Sequence, residues 1–155
     1  MFTVGDTVSY PMHGVGVVEA IERHTVLGEC AEYYMLRFVI GRITAMVPVK
    51  SAESVGLRPI ISPAECADVM AFVAEDCEAD SDNWNQRYRE NMDKLKSGDI
   101  FETADVVRAL SRRDRDRGLS AGEKKMLANS RTVLLTELAA VTGRTAEDLA
   151  AELKL

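Results

Sequence analysis

Trp84 is the only tryptophan of the chain, and its neighbours are polar or charged: Asp80-Ser81-Asp82-Asn83 before it and Asn85-Gln86-Arg87-Tyr88-Arg89 after it. An indole flanked by guanidinium groups suits a nucleic acid in two ways. Phosphates attract the cations, and the flat ring stacks on a base or wedges between base steps. The plainer alternative is a ring that packs one edge of a helix among solvated neighbours. A second candidate is Lys124-Lys125. Two lysines in a first helical turn oppose the helix dipole, yet beside exposed backbone amides they form a phosphate-binding spot. A merely solvated first turn is the alternative. The run Arg112 to Arg117 alternates in sign, which reads as intrahelical pairs on a solvated face.

Catalytic readings find no residues to stand on. Gly14-Val15-Gly16 is followed by Val17, Val18 and Glu19, so no dinucleotide fingerprint is completed, and no Walker lysine motif is present. His13 and His24 have no cysteine or carboxylate at zinc-ligand spacing. His13, in Pro11-Met12-His13-Gly14, reads as a turn residue. Asp80 and Asp82 imitate the start of a calcium loop, but Asn85 stands where that loop needs glycine. The expectation is a protein that is not an enzyme, with no metal, cofactor or small-molecule substrate.

The net charge of -6 is unevenly spread. Residues 84–131 carry a balance of +4, the rest of the chain -10, and residues 65–82 hold seven acids and no base. A basic surface on an acidic protein can grip DNA, but the long-range field opposes the encounter. DNA binding, if present, is therefore expected to be weak and to depend on a partner. No apolar run approaches the ~20 residues that span a bilayer. The N-terminal residues lack the charge and hydropathy pattern of an export signal. Three widely spaced cysteines, Cys30, Cys66 and Cys77, suggest reduced thiols and a cytoplasmic setting.

These residues must be positioned by two different kinds of element. Residues 1–58 predict short strands: Val4, Val8 and Tyr10 alternate with polar residues, Val15 to Ile21 is β-branched, and Tyr33 to Ile40 and Ile43 to Val47 follow. Leu27-Gly28-Glu29 and Gly41-Arg42 are turn candidates, and Pro48 ends or edges its strand. The pattern predicts a small Tudor- or SH3-like β-barrel without a deep pocket. From residue 59 to 155 the chain reads as helices. Ser62-Pro63-Ala64-Glu65 and Ser120-Ala121-Gly122-Glu123 are capping boxes. Asp82 or Asn83 caps a helix carrying Trp84, Tyr88, Met92 and Leu95, stopped at Ser97-Gly98. Gly143 ends the long helix opened at Ser120, and Thr145 starts a last short one. The fold class is α+β in two domains, a barrel (1–58) and an all-α bundle (59–155).

Four blocks in order then carry a resemblance: Phe2-x-Val4-Gly5-Asp6-x-Val8-x-Tyr10-Pro11-x-His13-Gly14; Met46-Val47-Pro48; Asn83-Trp84-x-x-Arg87-Tyr88-x-x-Asn91-x-x-Lys94-Leu95-x-Ser97-Gly98-Asp99; and Arg113-Asp114 through Leu119-Ser120-x-Gly122-Glu123-Lys124-x-Met126-Leu127. Over nearly its full length the chain resembles the CarD/CdnL family of bacterial transcription regulators. The resemblance implies a Tudor-like domain that docks on the β subunit of RNA polymerase, and a helical domain that meets promoter DNA at the upstream edge of the −10 element. It implies a wedge at Trp84 and backbone contacts from Arg87, Arg89 and Lys124, beside which Lys125 is a further candidate. It implies docking through Met46 and Pro48; Arg23 or His24 is the candidate polar contact, the alternative being that this contact is absent. Some family members have arginines at the positions of His24 and Met46, and this chain departs from them there. Two other readings stand beside it. One is a polymerase-binding adaptor without DNA contact. The other is an RNA-binding Tudor-like module, which the five Lys+Arg of residues 1–58 do not favour.

Overall fold

A computed structural model describes every residue of the chain except 78 and 80. Five antiparallel strands come first: β1 (Thr7–Tyr10), β2 (Gly14–Val26), β3 (Glu29–Phe38), β4 (Thr44–Pro48) and β5 (Arg58–Pro59). They form one sheet in the order β4-β3-β2-β1-β5. The two turns foreseen between long strands are present. Leu27 and Gly28 have φ of 54° and 82°, and Gly41 and Arg42 have 74° and 52°. Positive φ at both central residues suits the right-handed twist of the flanking strands.

The expected barrel is not closed by backbone pairing, for β4 and β5 remain the two edges of the sheet. Both edges end in proline. Pro48 terminates β4 and Pro59 terminates the two-residue β5, and proline has no N–H with which to extend a ladder. The strands still curve around an apolar centre of Val8, Val18, Tyr34, Leu36, Phe38 and Val47. A register shift between Val18 and Ala20 interrupts the β2–β3 ladder. Such a bulge reverses the in–out alternation of side chains beyond it, a change that the sequence pattern alone does not reveal.

Five helices follow: α1 (Pro63–Ala74), α2 (Trp84–Ser97), α3 (Ile100–Asp116), α4 (Ala121–Thr142) and α5 (Ala146–Leu153). Their ends are set by local chemistry. Ser62 and Glu65 form the reciprocal capping box at α1. Asn83 caps α2, and Gly98 and Gly143 close α2 and α4 in the left-handed region. The main helical core joins α1, α3, α4 and α5 through Val69, Ala104, Val107, Leu134, Leu138 and Leu149. A smaller cluster of Leu95, Val106, Leu110 and Met126 seats α2 on its neighbours. No helix among the described residues is long and apolar enough to cross a membrane.

Candidate nucleic-acid interface

Trp84 is the first residue of α2, and Ser120 caps α4. The two helix starts meet. The indole Nε1 donates to Ser120 Oγ at 3.0 Å. One turn along α2, Tyr88 stacks on the indole with ring centroids 5.0 Å apart and planes 19° from parallel, an i,i+4 aromatic pair. The tryptophan nevertheless keeps 42% of its surface exposed. It is thus neither buried in a core nor loose: one edge is tethered, one face is stacked, and the remainder points to solvent.

The candidate cations divide into two kinds. Arg89, Lys124 and Lys125 are exposed. Lys124 and Lys125 lie near the start of α4, whose cap Ser120 tethers Trp84. Arg87 has a different place. It is 4% exposed, and its guanidinium donates twice to the Glu123 carboxylate, Nε to Oε2 at 2.8 Å and Nη2 to Oε1 at 3.1 Å. Nη1 donates to the carbonyl of Ser81 at 2.8 Å. The surface phosphate contact expected of Arg87 is therefore corrected: its donors are directed inward, joining α2 to α4 and holding the chain that enters α2.

Glu123 is 2% exposed. The hydrogen bonds from Arg87 hold its carboxyl below the ordinary range, against the opposing effect of burial, and Ser120 adds to the lowering. The Glu123 carboxylate does not complete the expected capping box. Ser120 Oγ still accepts from Glu123 N at 3.2 Å, but the carboxylate turns toward Arg87 and Ser120 Oγ. One hydroxyl thus links the buried pair to the indole.

The buried stripe of α2 is Arg87, Asn91 and Leu95, beside which Tyr88 and Met92 are partly buried. The steps of four from Leu95 back through Asn91 to Arg87 follow one helix face, and that spacing was the available clue. The Arg112–Arg117 run also reaches beyond its own helix. Arg112 pairs with Asp116 at 3.7 Å but also with Asp76 at 3.3 Å, and Arg117 pairs with Asp82 at 2.8 Å. These bonds hold Asp76 and Asp82 against the C-terminal end of α3.

The same order of halves recurs in known proteins. Residues 2–61 match the CarD-like/TRCF RID domain, and residues 68–154 match the CarD, C-terminal domain. The chain belongs to the CarD family. A curated relative, "Putative transcription factor YdeB" of Bacillus subtilis (strain 168), is 39% identical over 152 residues, which is 96% of this chain and 97% of that protein. The family is one of transcription regulators.

In this CarD-family chain the docking candidates fall on the sheet. Met35 pairs with Met46, Tyr33 with Pro48 and Ala31 with His24. Side chains alternate along a strand, so Met46, Pro48, Tyr33 and His24 share the outer face. Met46 is 41% exposed. His24 bonds Glu22 at 2.8 Å and packs edge-on against Tyr33. Arg23 pairs with Glu32 and by the same alternation lies on the opposite face, away from Met46 and Pro48.

Proposed function

We propose that this protein docks on the β subunit of bacterial RNA polymerase through the outer face and β4 edge of its sheet, and stabilises the open promoter complex by wedging Trp84 into distorted DNA at the upstream edge of the −10 element. The observation that carries the DNA half is the indole of Trp84: preorganised by Ser120 and Tyr88 and 42% exposed, on two helices that also carry the exposed Arg89, Lys124 and Lys125. The docking half is supported by the match of residues 2–61 to the RID domain, an RNA polymerase β-interacting domain. It is also supported by β4, a sheet edge whose unpaired backbone groups can take up a strand of a partner.

Polymerase supplies the address in this mechanism. A chain of net charge -6 gains little from free search on DNA, but a weak contact tethered to a docked domain acts at high effective concentration. The ring fits unwound DNA better than closed duplex, so it shifts the equilibrium toward the open complex by that difference in affinity. Exposed lysines and arginine add sequence-independent phosphate contacts that weaken with salt. Reading no base code, the protein acts on many promoters.

The test is footprinting on a polymerase–promoter complex. Adding the protein is expected to alter reactivity beside the −10 element only when polymerase is present. Docking with no change there would leave an adaptor without DNA contact as the better reading.

Docking makes its own prediction. Met46→Asp is expected to weaken binding to the isolated β-subunit lobe by about tenfold or more, because an unpaired charge desolvated in an apolar contact costs several kcal/mol. Arg23→Ala, on the other face, is expected to leave the affinity unchanged. A titration of the lobe with each folded variant decides, and equal affinities for Met46→Asp and the unaltered protein reject this docking face.

A further inference from the structure

Arg58 directs most of its guanidinium to the junction of sheet and helices, with one further Nη1 bond to the Pro59 carbonyl at 3.1 Å. Arg58, on the edge strand β5, donates from Nη1 to Glu137 Oε2 at 2.8 Å and from Nη2 to Glu137 Oε1 at 2.9 Å. Its Nε donates to the carbonyl of Gly98 at 2.9 Å. Glu137 lies on α4 and is 1% exposed, and its Oε2 also accepts from the Ile61 amide at 3.0 Å. Gly98 is the left-handed C-cap of α2. Arg58 therefore binds the sheet to two helices at once, and one of them is the helix that starts with Trp84.

Close packing surrounds this clamp. Pro11, in the β1–β2 turn, stands against Gly98 and Gly56. A Cβ would come within 2.8 Å of the Pro11 ring at Gly98 and within 2.6 Å at Gly56. A Cβ on Gly14, at the start of β2, would lie 3.7 Å from Val133 of α4. Apolar contacts of this kind resist separation but permit sliding and rotation. A two-pronged guanidinium–carboxylate bond has a defined plane and direction. Buried ion pairs add little net stability over apolar packing, and their better-attested use is to select one arrangement among several.

We infer that Arg58 is a positioning residue, and that the Arg58–Glu137–Gly98 clamp sets the angle between the sheet and α2 and hence the span from the docking face to the Trp84 wedge. This rests on the proposed function for its use, though not for its geometry. The lever is long. Trp84 and Gly98 stand at opposite ends of a helix of 14 residues, about 20 Å at 1.5 Å per residue. A tilt of about 10° at the clamped end would carry the indole ~3.5 Å, the rise of one base step. An unclamped wedge would face the wrong step or spread over several.

The test has a solution arm and a promoter arm, both on the full chain. In the first, residual dipolar couplings from the sheet and the helices of the unaltered protein are expected to fit one alignment tensor on the present geometry. Arg58→Lys keeps a charge but cannot hold both Glu137 oxygens and the Gly98 carbonyl. In that variant the joint fit is expected to fail while each half still fits alone. Glu137→Gln, with its shape preserved, serves as the second variant should Arg58→Lys lose its fold. Val133→Ala, which trims only the apolar contact, is expected to keep the joint fit. A joint fit that survives in Arg58→Lys and Glu137→Gln, or one that also fails in Val133→Ala, overturns the assignment.

In the promoter arm, Arg58→Lys is expected to bind the β-subunit lobe as before, with the open-complex lifetime falling toward that of Trp84→Ala. A failed joint fit with an unshortened lifetime would reject the positioning role. If Trp84→Ala itself leaves the lifetime unchanged, the proposed wedge falls, and the solution arm still decides whether Arg58 sets the geometry.

Discussion

Arg87→Ala is expected to destabilise the protein by about 3–5 kcal/mol, the usual cost of stripping one partner from a buried ion pair. The basic residue three positions from the wedge would thus matter more to the fold than to DNA. The loss has two parts. Glu123, 2% exposed, is left with its charge uncompensated between α2 and α4. The Ser81 carbonyl loses the donor that holds the entry to α2. Arg89→Ala, at an exposed position, is expected to change stability by no more than about 0.5 kcal/mol. Urea denaturation of the two variants separates them. The effect should also depend on pH with a defined sign. The folded Glu123 carboxyl is depressed below its ordinary 4.5, so the stabilisation by the pair is fully present above that value and disappears as pH falls through the depressed one. The gap between Arg87→Ala and the unaltered protein is therefore expected to narrow in acid. It should persist in salt, since buried pairs are poorly screened. A gap below 1 kcal/mol at neutral pH would return Arg87 to the role of a surface cation.

What the sequence made legible was local. Ser62, Asn83, Ser120 and Thr145 cap their helices because a short polar side chain bonds an amide two or three residues on, and nothing distant is involved. Gly98 and Gly143 end helices for an equally local reason. The resemblance adds the order of the two halves. What escaped depends on partners far along the chain. Arg87 reaches Glu123 across 36 residues and Arg58 reaches Glu137 across 79, and no spacing rule connects either pair. Arg87 looked like part of a basic surface because its neighbours Arg89 and Lys94 are cations. Only its step of four from Asn91 and Leu95 hinted at burial. The openness of the sheet escaped for a related reason: short strands and tight turns predict curvature, whereas closure needs the first and last edges to pair, and prolines end both here.

Trp84→Ala is expected to shorten the lifetime of the open promoter complex by about tenfold or more while leaving polymerase docking unchanged. An aromatic–base contact is worth ~1–3 kcal/mol, and each 1.4 kcal/mol is a factor of ten. The contact is made only with distorted DNA, so its loss appears in the stability of the open complex and not in the affinity for the β subunit. The fold is expected to survive, because the ring is 42% exposed and its holds are the Ser120 hydrogen bond and the Tyr88 stack. The tether predicts a graded series. Trp84→Phe keeps an aromatic face for stacking on Tyr88 and DNA but cannot donate to Ser120, so its lifetime should fall between the other two. Ser120→Ala keeps the whole indole and frees its edge, and it also removes the cap of α4, at about 1 kcal/mol of stability. Its lifetime should likewise be intermediate, from a ring that is present but less well aimed. The measurement is open-complex dissociation after a heparin challenge, with each protein at saturating concentration. A lifetime for Trp84→Ala equal to that of the unaltered protein, with the variant shown to be folded and docked, would remove the wedge. A folding defect in Trp84→Ala comparable to that of Arg87→Ala would make the ring a structural aromatic of the α2–α4 junction.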